Sequence, residues 1–191
     1  MTETASSRRI EILQAACQEF SEKGFAGAKI EQIARRCGIG KSTVYEYFPS
    51  KADLLEETAA WMMQQMHDDV EGIMQSDLPF AAKMREYLLY ICGLMQRMGH
   101  GMIYMHGDSK ELLGIISRCT TGFTDQLHEV CLHAVQTAKQ SGELRADIDE
   151  QAAACLFMTL PSPPLAEQLD AGNTELAEQI VRLVMQGMEN R

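Results

Sequence analysis

Gly40, Lys41, Ser42 and Thr43 stand together inside the run GIGKSTVYEYFPSK, which ends at Lys51. A lysine and two hydroxyls behind a glycine can do two kinds of chemistry. Wrapped around a nucleotide, the loop's N–H groups and the lysine would cradle phosphates while a hydroxyl held magnesium. At the start of a short helix, the same groups would meet phosphate oxygens and base edges of duplex DNA.

The elements that must position them decide between the two. A phosphate-cradling loop needs G-x-x-x-x-G-K-[ST] after a strand. Arg35, not glycine, stands five residues before Gly40, and the preceding IEQIARRC has helical spacing. No acidic partner strand for magnesium is present, so the NTPase reading fails. The DNA reading fits: two short helices, 29–37 and 42–47, are joined by GIG, whose glycines tolerate positive φ. Ile33, Ala34 and Val44 supply a small apolar core between them. Lys41, Ser42, Thr43, Tyr45 and Tyr47 are left facing outward, and the helix N-terminus near Lys41 adds its own attraction for phosphate.

Around this motif, apolar residues recur at helical spacing nearly everywhere. Ile10, Leu13, Cys17 and Phe20 mark a first helix that Gly24 should stop. Ser50 reads as the N-cap of a long helix reaching about Gln75, and Pro79 suits the first turn of the next. Gly99–Gly101 should break that helix. A short helix is expected from Ser109 to about Cys119, and a long one from Phe123 to near Gly142. Pro161–Pro164 should end a helix that starts near Asp149, and a last helix covers about Thr174–Met188. The expected architecture is all-α, with about nine helices and no strand.

Composition agrees with a folded helical chain: 46% of the 191 residues are apolar, and methionine (13) outnumbers any single aromatic type. Charge is unevenly placed. Residues 1–51 carry eight Lys/Arg against six Asp/Glu, whereas 52–191 carry nine against twenty-one. The overall charge of −10 argues against a general nucleic-acid binder, and a slightly basic head on an acidic body points to a polyanion-facing N-terminal unit with a second task behind it. The six cysteines are scattered without a CxxC pair, and no apolar leader or membrane-length run is present. The expected compartment is the cytoplasm.

The run ILQAACQEFSEKGFAGAKIEQIARRCGIGKSTVYEYFPSKADLL, residues 12–55, resembles the N-terminal domain of the tetracycline-repressor-like (TetR) family of transcriptional regulators. A weaker echo, GELRADIDEQAAACL at Gly142–Leu156, resembles the segment leading into that family's penultimate helix. The resemblance implies a three-helix helix-turn-helix domain (1–51) and a ligand-binding and dimerisation domain (52–191). It implies phosphate contacts from Thr43, Tyr47 and Lys51. Ser42, Val44 and Tyr45 would approach base edges, with Lys29 and Lys41 at the two helix starts. Lys29 departs from the small hydroxyl residue usual there. Arg8 and Arg9 would touch flanking phosphates.

The resemblance further implies a homodimer through the last two helices. Leu156, Leu160, Leu176, Ile180, Leu183 and Val184 offer its apolar face, and Gly187 would permit close approach. An effector would lie among the middle helices, against candidates Trp61, Met62, Met66, Tyr87, Leu88, Ile91, Met95, Met102, Tyr104, Phe123 and Phe157. A methionine-rich wall suits a small apolar ligand. His128, Cys131 and His133, with Cys119, Met102, Met105 and His106, are read as ordinary surface and core residues, so neither metal nor cofactor is expected. No G-x-S-x-G, H-E-x-x-H or outstanding carboxylate pair appears, so no enzyme is expected. The expected function is a repressor released from palindromic operator DNA by a small effector. Two alternatives stay open at this point: a metal- or redox-sensing regulator of the same fold, and a helical interaction protein that no longer reads sequence.

Overall fold

A computed structural model describes the backbone of residues 2–103, 110–169 and 174–189. It describes the side chains among them except 2–5, 97–103, 110–113, 115–116 and 118–121. The described residues form α1 (Thr2–Gly27), α2 (Ile30–Arg36), α3 (Lys41–Tyr47), α4 (Lys51–Gln75), α5 (Phe80–Ile103), α6 (Lys110–Gln140), α7 (Glu150–Thr159), α8 (Pro163–Gln168) and α9 (Thr174–Met185). No strand occurs among them; a single bridge pairs Leu144 with Glu189. The fold is all-α, and several boundaries obey simple chemistry. Gly24 takes φ 66° inside α1 and kinks it where the first helix was expected to stop. Ser50 Oγ accepts the Asp53 N–H at 3.1 Å and Asp149 accepts the Ala152 N–H at 2.7 Å, each capping the helix that follows.

Three expectations are corrected. Gly99–Gly101 does not end its helix, because α5 continues to Ile103. The two helices expected between Ser109 and Gly142 are one, α6, which runs through Gly122. An isolated glycine costs a helix only about 1 kcal/mol, which a long apolar face readily offsets. Pro163 and Pro164, expected only to stop a helix, also start one: they occupy the first turn of α8, where a missing N–H costs nothing.

The chain divides into two compact units, residues 1–65 with 98–122, and residues 66–97 with 123–191. In the first, Ile12, Leu13, Ala16 and Phe20 of α1 close over Ile30, Ile33 and Ala34 of α2, Val44 of α3, Phe48, and Leu54 and Leu55 of α4. In the second, Val70 and Met74 of α4 join Phe80, Met84 and Leu88 of α5, Cys131 and Val135 of α6, Phe157 of α7 and Val181 of α9. Phe80 meets Phe157 edge-on at 5.3 Å. Polar groups pin the connections in this unit: Glu143 accepts the Phe80 N–H at 2.6 Å, and the Gln96 amide donates to the carbonyls of Ala166 and Leu169. Arg145 ties the segment after α6 to the C-terminal turn through its own N–H to Met188 O (2.9 Å) and its guanidinium to Gly187 O (3.1 Å).

Candidate nucleic-acid interface

The turn between α2 and α3 is built by one glycine. Gly38 has φ 66°, which a side chain would resist. With that angle available, the Gly38 N–H reaches Arg35 O at 3.2 Å and the Ile39 N–H reaches Ala34 O at 3.0 Å. This pair of bonds satisfies the last carbonyls of α2 and reverses the chain, and Ile39 folds back onto the apolar cluster that holds Ala34. Gly40 then enters α3 from an extended conformation. Val44, fully buried, plugs α3 into the core and leaves the rest of its surface outward.

That geometry corrects one residue. Val44 is 0% exposed, so it orients α3 and does not approach base edges from this surface. Lys29, Lys41 and Ser42 are exposed, Tyr45 is 39% exposed, and Thr43 and Tyr47 are half-buried. Lys29 is the N-cap residue of α2 without a side-chain cap bond. Tyr47 packs partly against the core, its ring 6.5 Å from that of Phe48, which is itself buried.

Three cations near this face, Lys41, Lys51 and Arg8, are already engaged. Lys41 pairs with Glu31 in the first turn of α2 and lies 5.9 Å from the centre of the Tyr45 ring. Lys51 reaches the Ala26 carbonyl at 3.4 Å and stands 4.8 Å from the centre of the Phe25 ring; burial pulls its ammonium below the ordinary lysine value, with Glu19 opposing. Arg8 pairs with Glu11 at 2.5 Å.

Sequence reasoning misplaced Arg9 and missed Glu19. Arg9, expected at flanking phosphates, donates instead to Tyr47 O at 3.2 Å, at the C-terminus of α3. It also pairs with Glu57 and stacks 4.5 Å from the centre of the Phe48 ring, bracing α3 against α4. A cation at a helix C-terminus is favourable in itself. Glu19, 3% exposed, takes the Lys29 N–H and the Arg36 guanidinium, both at 3.3 Å. It therefore touches both ends of α2 from α1. Arg36 also binds Glu22 at 2.7 Å, and that bond leads in raising its guanidinium above the ordinary value. A carboxylate on the apolar phase of α1 was the available signal, because Glu19 lies four residues after Ala15 and seven after Ile12, both buried.

The residues expected at an effector site separate. Trp61 packs against the first unit's core and Met62 Sδ lies 3.3 Å from Cys17 Sγ. Tyr87, Leu88, Ile91 and Phe157 are buried core of the second unit, with Met66, Met95 and Phe123 half-buried against it. The side chain of Met102, and Tyr104, Met105 and His106 entirely, lie outside the described residues, as does the side chain of Cys119. A cavity of about 550 Å³ in the second unit is lined by other residues, including Glu71, Met74, Lys83, Glu129 and His133. Among the described residues no group of three or more His, Cys, Asp or Glu is placed to hold a metal. Cys131 is buried, which pushes its thiol up to about 12, while His133 is exposed.

On the α7 and α9 surfaces, Leu156 (42% exposed) and Leu183 (70%) are bare, and Leu160, Leu176, Ile180 and Val184 are half-buried. Gly187 lies in the turn after α9 and not on its face, which corrects its expected role in close helix packing.

Residues 12–58 match the family described as bacterial regulatory proteins, tetR family. The uncharacterized HTH-type transcriptional regulator YhgD of Bacillus subtilis is 28% identical over 80 residues, 42% of each chain. The fatty acid metabolism regulator protein of the same organism is 20% identical over 190 residues, 95% of this chain and 96% of the relative. A solved TetR-family transcriptional regulator of Mesorhizobium loti has the same fold, with a TM-score of 0.73 at 17% identity and both chains fully covered.

Proposed function

Because this chain belongs to the tetR family of bacterial regulatory proteins and is a transcriptional regulator rather than an enzyme, we propose that it is a homodimeric cytoplasmic repressor that leaves a two-fold operator when a small apolar effector binds. The observation that carries the reading is the outward face of α3. Lys41, Ser42, Thr43 and Tyr45 are presented there by a buried Val44 and a glycine-built turn. Ser42 and Tyr45 would meet base edges, and Lys29, Lys41, Thr43, Tyr47 and Lys51 would meet phosphates. Lys51 would have to leave the Ala26 carbonyl to do so.

Residues 1–51 act as the reading domain and 52–191 as the sensing and pairing domain. The bare leucines of α7 and α9 support a second copy as their cover, with Leu160, Leu176, Ile180 and Val184 beside them. Two half-sites about one helical turn apart would then be held by one dimer. An effector would touch Met66, Met95 and Phe123, whose half-buried side chains border the second core. α4 begins four residues after α3 ends and continues to Gln75, so a ligand-dependent shift of α4 would displace α3. Effector and operator would then weaken each other by the same factor.

The test is a fluorescence-anisotropy titration against the DNA upstream of this protein's own coding sequence, beside unrelated DNA, followed by selection from random duplexes. Selective binding with two chains per site is expected. A selection that enriches no sequence would overturn the reading.

A further inference from the structure

Lys41 opens α3, and its ammonium is occupied before any DNA arrives. Its partner, Glu31, sits in the first turn of α2, where the helix dipole favours a carboxylate. Their hydrogen bond is the leading reason that Glu31 is held below the ordinary carboxylate value and Lys41 above the ordinary lysine value. Both side chains are exposed, and the Lys41 ammonium also lies 5.9 Å from the centre of the Tyr45 ring. A carboxylate set before a lysine at a helix N-terminus occupies the place that a DNA phosphate oxygen would take.

We propose that Glu31 is a resident phosphate mimic: it holds Lys41 in the unbound chain and must be displaced, which weakens binding to DNA of any sequence. This rests on the DNA-binding reading above and adds a residue to it. An exposed ion pair is weak and is screened by salt, so Glu31 cannot block an operator. It instead subtracts from the electrostatic affinity, which supplies nearly all binding to arbitrary sequence. Displacement also frees a carboxylate that takes up a cation as Lys41 releases one from DNA. The salt dependence of the native chain is therefore shallower than its lysines alone would give. In a protein of net charge −10, such a residue keeps the reading head from settling on unrelated duplex.

The experiment measures binding of the full chain to a duplex of arbitrary sequence, about 30 base pairs, across a low-salt series. The chains compared are wild type, Glu31→Gln, Lys41→Gln and the double variant. Glu31→Gln should bind roughly two- to fivefold tighter per chain. Its salt slope should steepen by up to about 0.9 per chain. Both changes should vanish in the Lys41→Gln background. An unchanged Glu31→Gln overturns the proposal, as does an equal gain without Lys41, which would mean simple repulsion. Glu31→Ala repeats the test if the glutamine variant melts early. A wild type that binds no duplex at all removes the DNA-binding reading, and Glu31's role with it. That result is distinct from a wild type that binds while Glu31→Gln changes nothing.

Discussion

Glu19 should be the polar residue on which the reading head's geometry most depends. Its carboxylate is buried, yet its partners differ in how replaceable they are. The Lys29 N–H is the first donor of α2, and losing its acceptor costs about 1 kcal/mol when the site is only partly shielded. Arg36 is less dependent, because it keeps Glu22 at 2.7 Å and Gln18 at 3.1 Å. The large penalty for stranding a buried charge therefore does not apply, since the arginine side chain is 34% exposed. Truncation in Glu19→Ala also removes one buried methylene, worth about 0.8 kcal/mol. The expected cost is about 2 kcal/mol, or about 4–8 °C in the midpoint of thermal unfolding for a chain of this size. Glu19→Gln keeps the stem and an acceptor oxygen, so it should cost about 1 kcal/mol or less. The assay is thermal unfolding by circular dichroism of the two variants beside wild type. If Glu19→Ala melts within about 1 °C of wild type, the carboxylate is no joint between α1 and α2. If the two variants cost the same, the charge pair with Arg36 and not the N–H acceptor carries the effect.

Other perturbations separate backbone, surface and burial effects. Gly38→Ala should lose about 1–2 kcal/mol in a thermal melt purely from its left-handed φ, because a Cβ there would meet nothing within 4 Å. Leu156→Lys with Leu183→Lys should leave the fold intact but shift light-scattering mass toward that of one chain; an unchanged mass removes these helices from the interface. At about pH 8, iodoacetamide should leave Cys131 unmodified in the folded chain, because the thiolate that reacts is withheld until about pH 12, and should label exposed Cys155. Equal labelling by mass spectrometry would show that the C-terminal core opens readily.

The parts of this fold legible from sequence are those dictated by neighbours in the chain. Gly38, Ser50 and Asp149 each announce a helix end by local chemistry, and each does so in the structure, whereas Gly24 kinks α1, which continues to Gly27. Glycines 99, 101 and 122 carry the same letter but lie within helices, because whether a glycine stops a helix depends on the packing that the following turns gain. Val44 shows the same limit on a smaller scale. The apolar pattern puts it with Ile33 and Ala34 in the core between the two helices, while the family resemblance puts it at base edges. The second helix settles it by supplying Ile33 and Ala34 beneath Val44.

The charges were least legible, and they matter most to what the face can do. Arg9 with Glu57, Arg36 with Glu19 and Lys41 with Glu31 join residues 48, 17 and 10 positions apart, with no periodicity to reveal them. Counting residues 1–51 gives a weakly basic head, but in the structure three cations of that head serve its own helices: Arg9 braces α3, Arg36 holds α2, and Lys51 lies along Phe25. The head's formal charge thus overstates what phosphates can meet at once. On the proposed DNA reading, a head so arranged would hold its site through the shape and hydrogen bonding of α3, because much of the electrostatic attraction that would hold it anywhere is taken up within the protein.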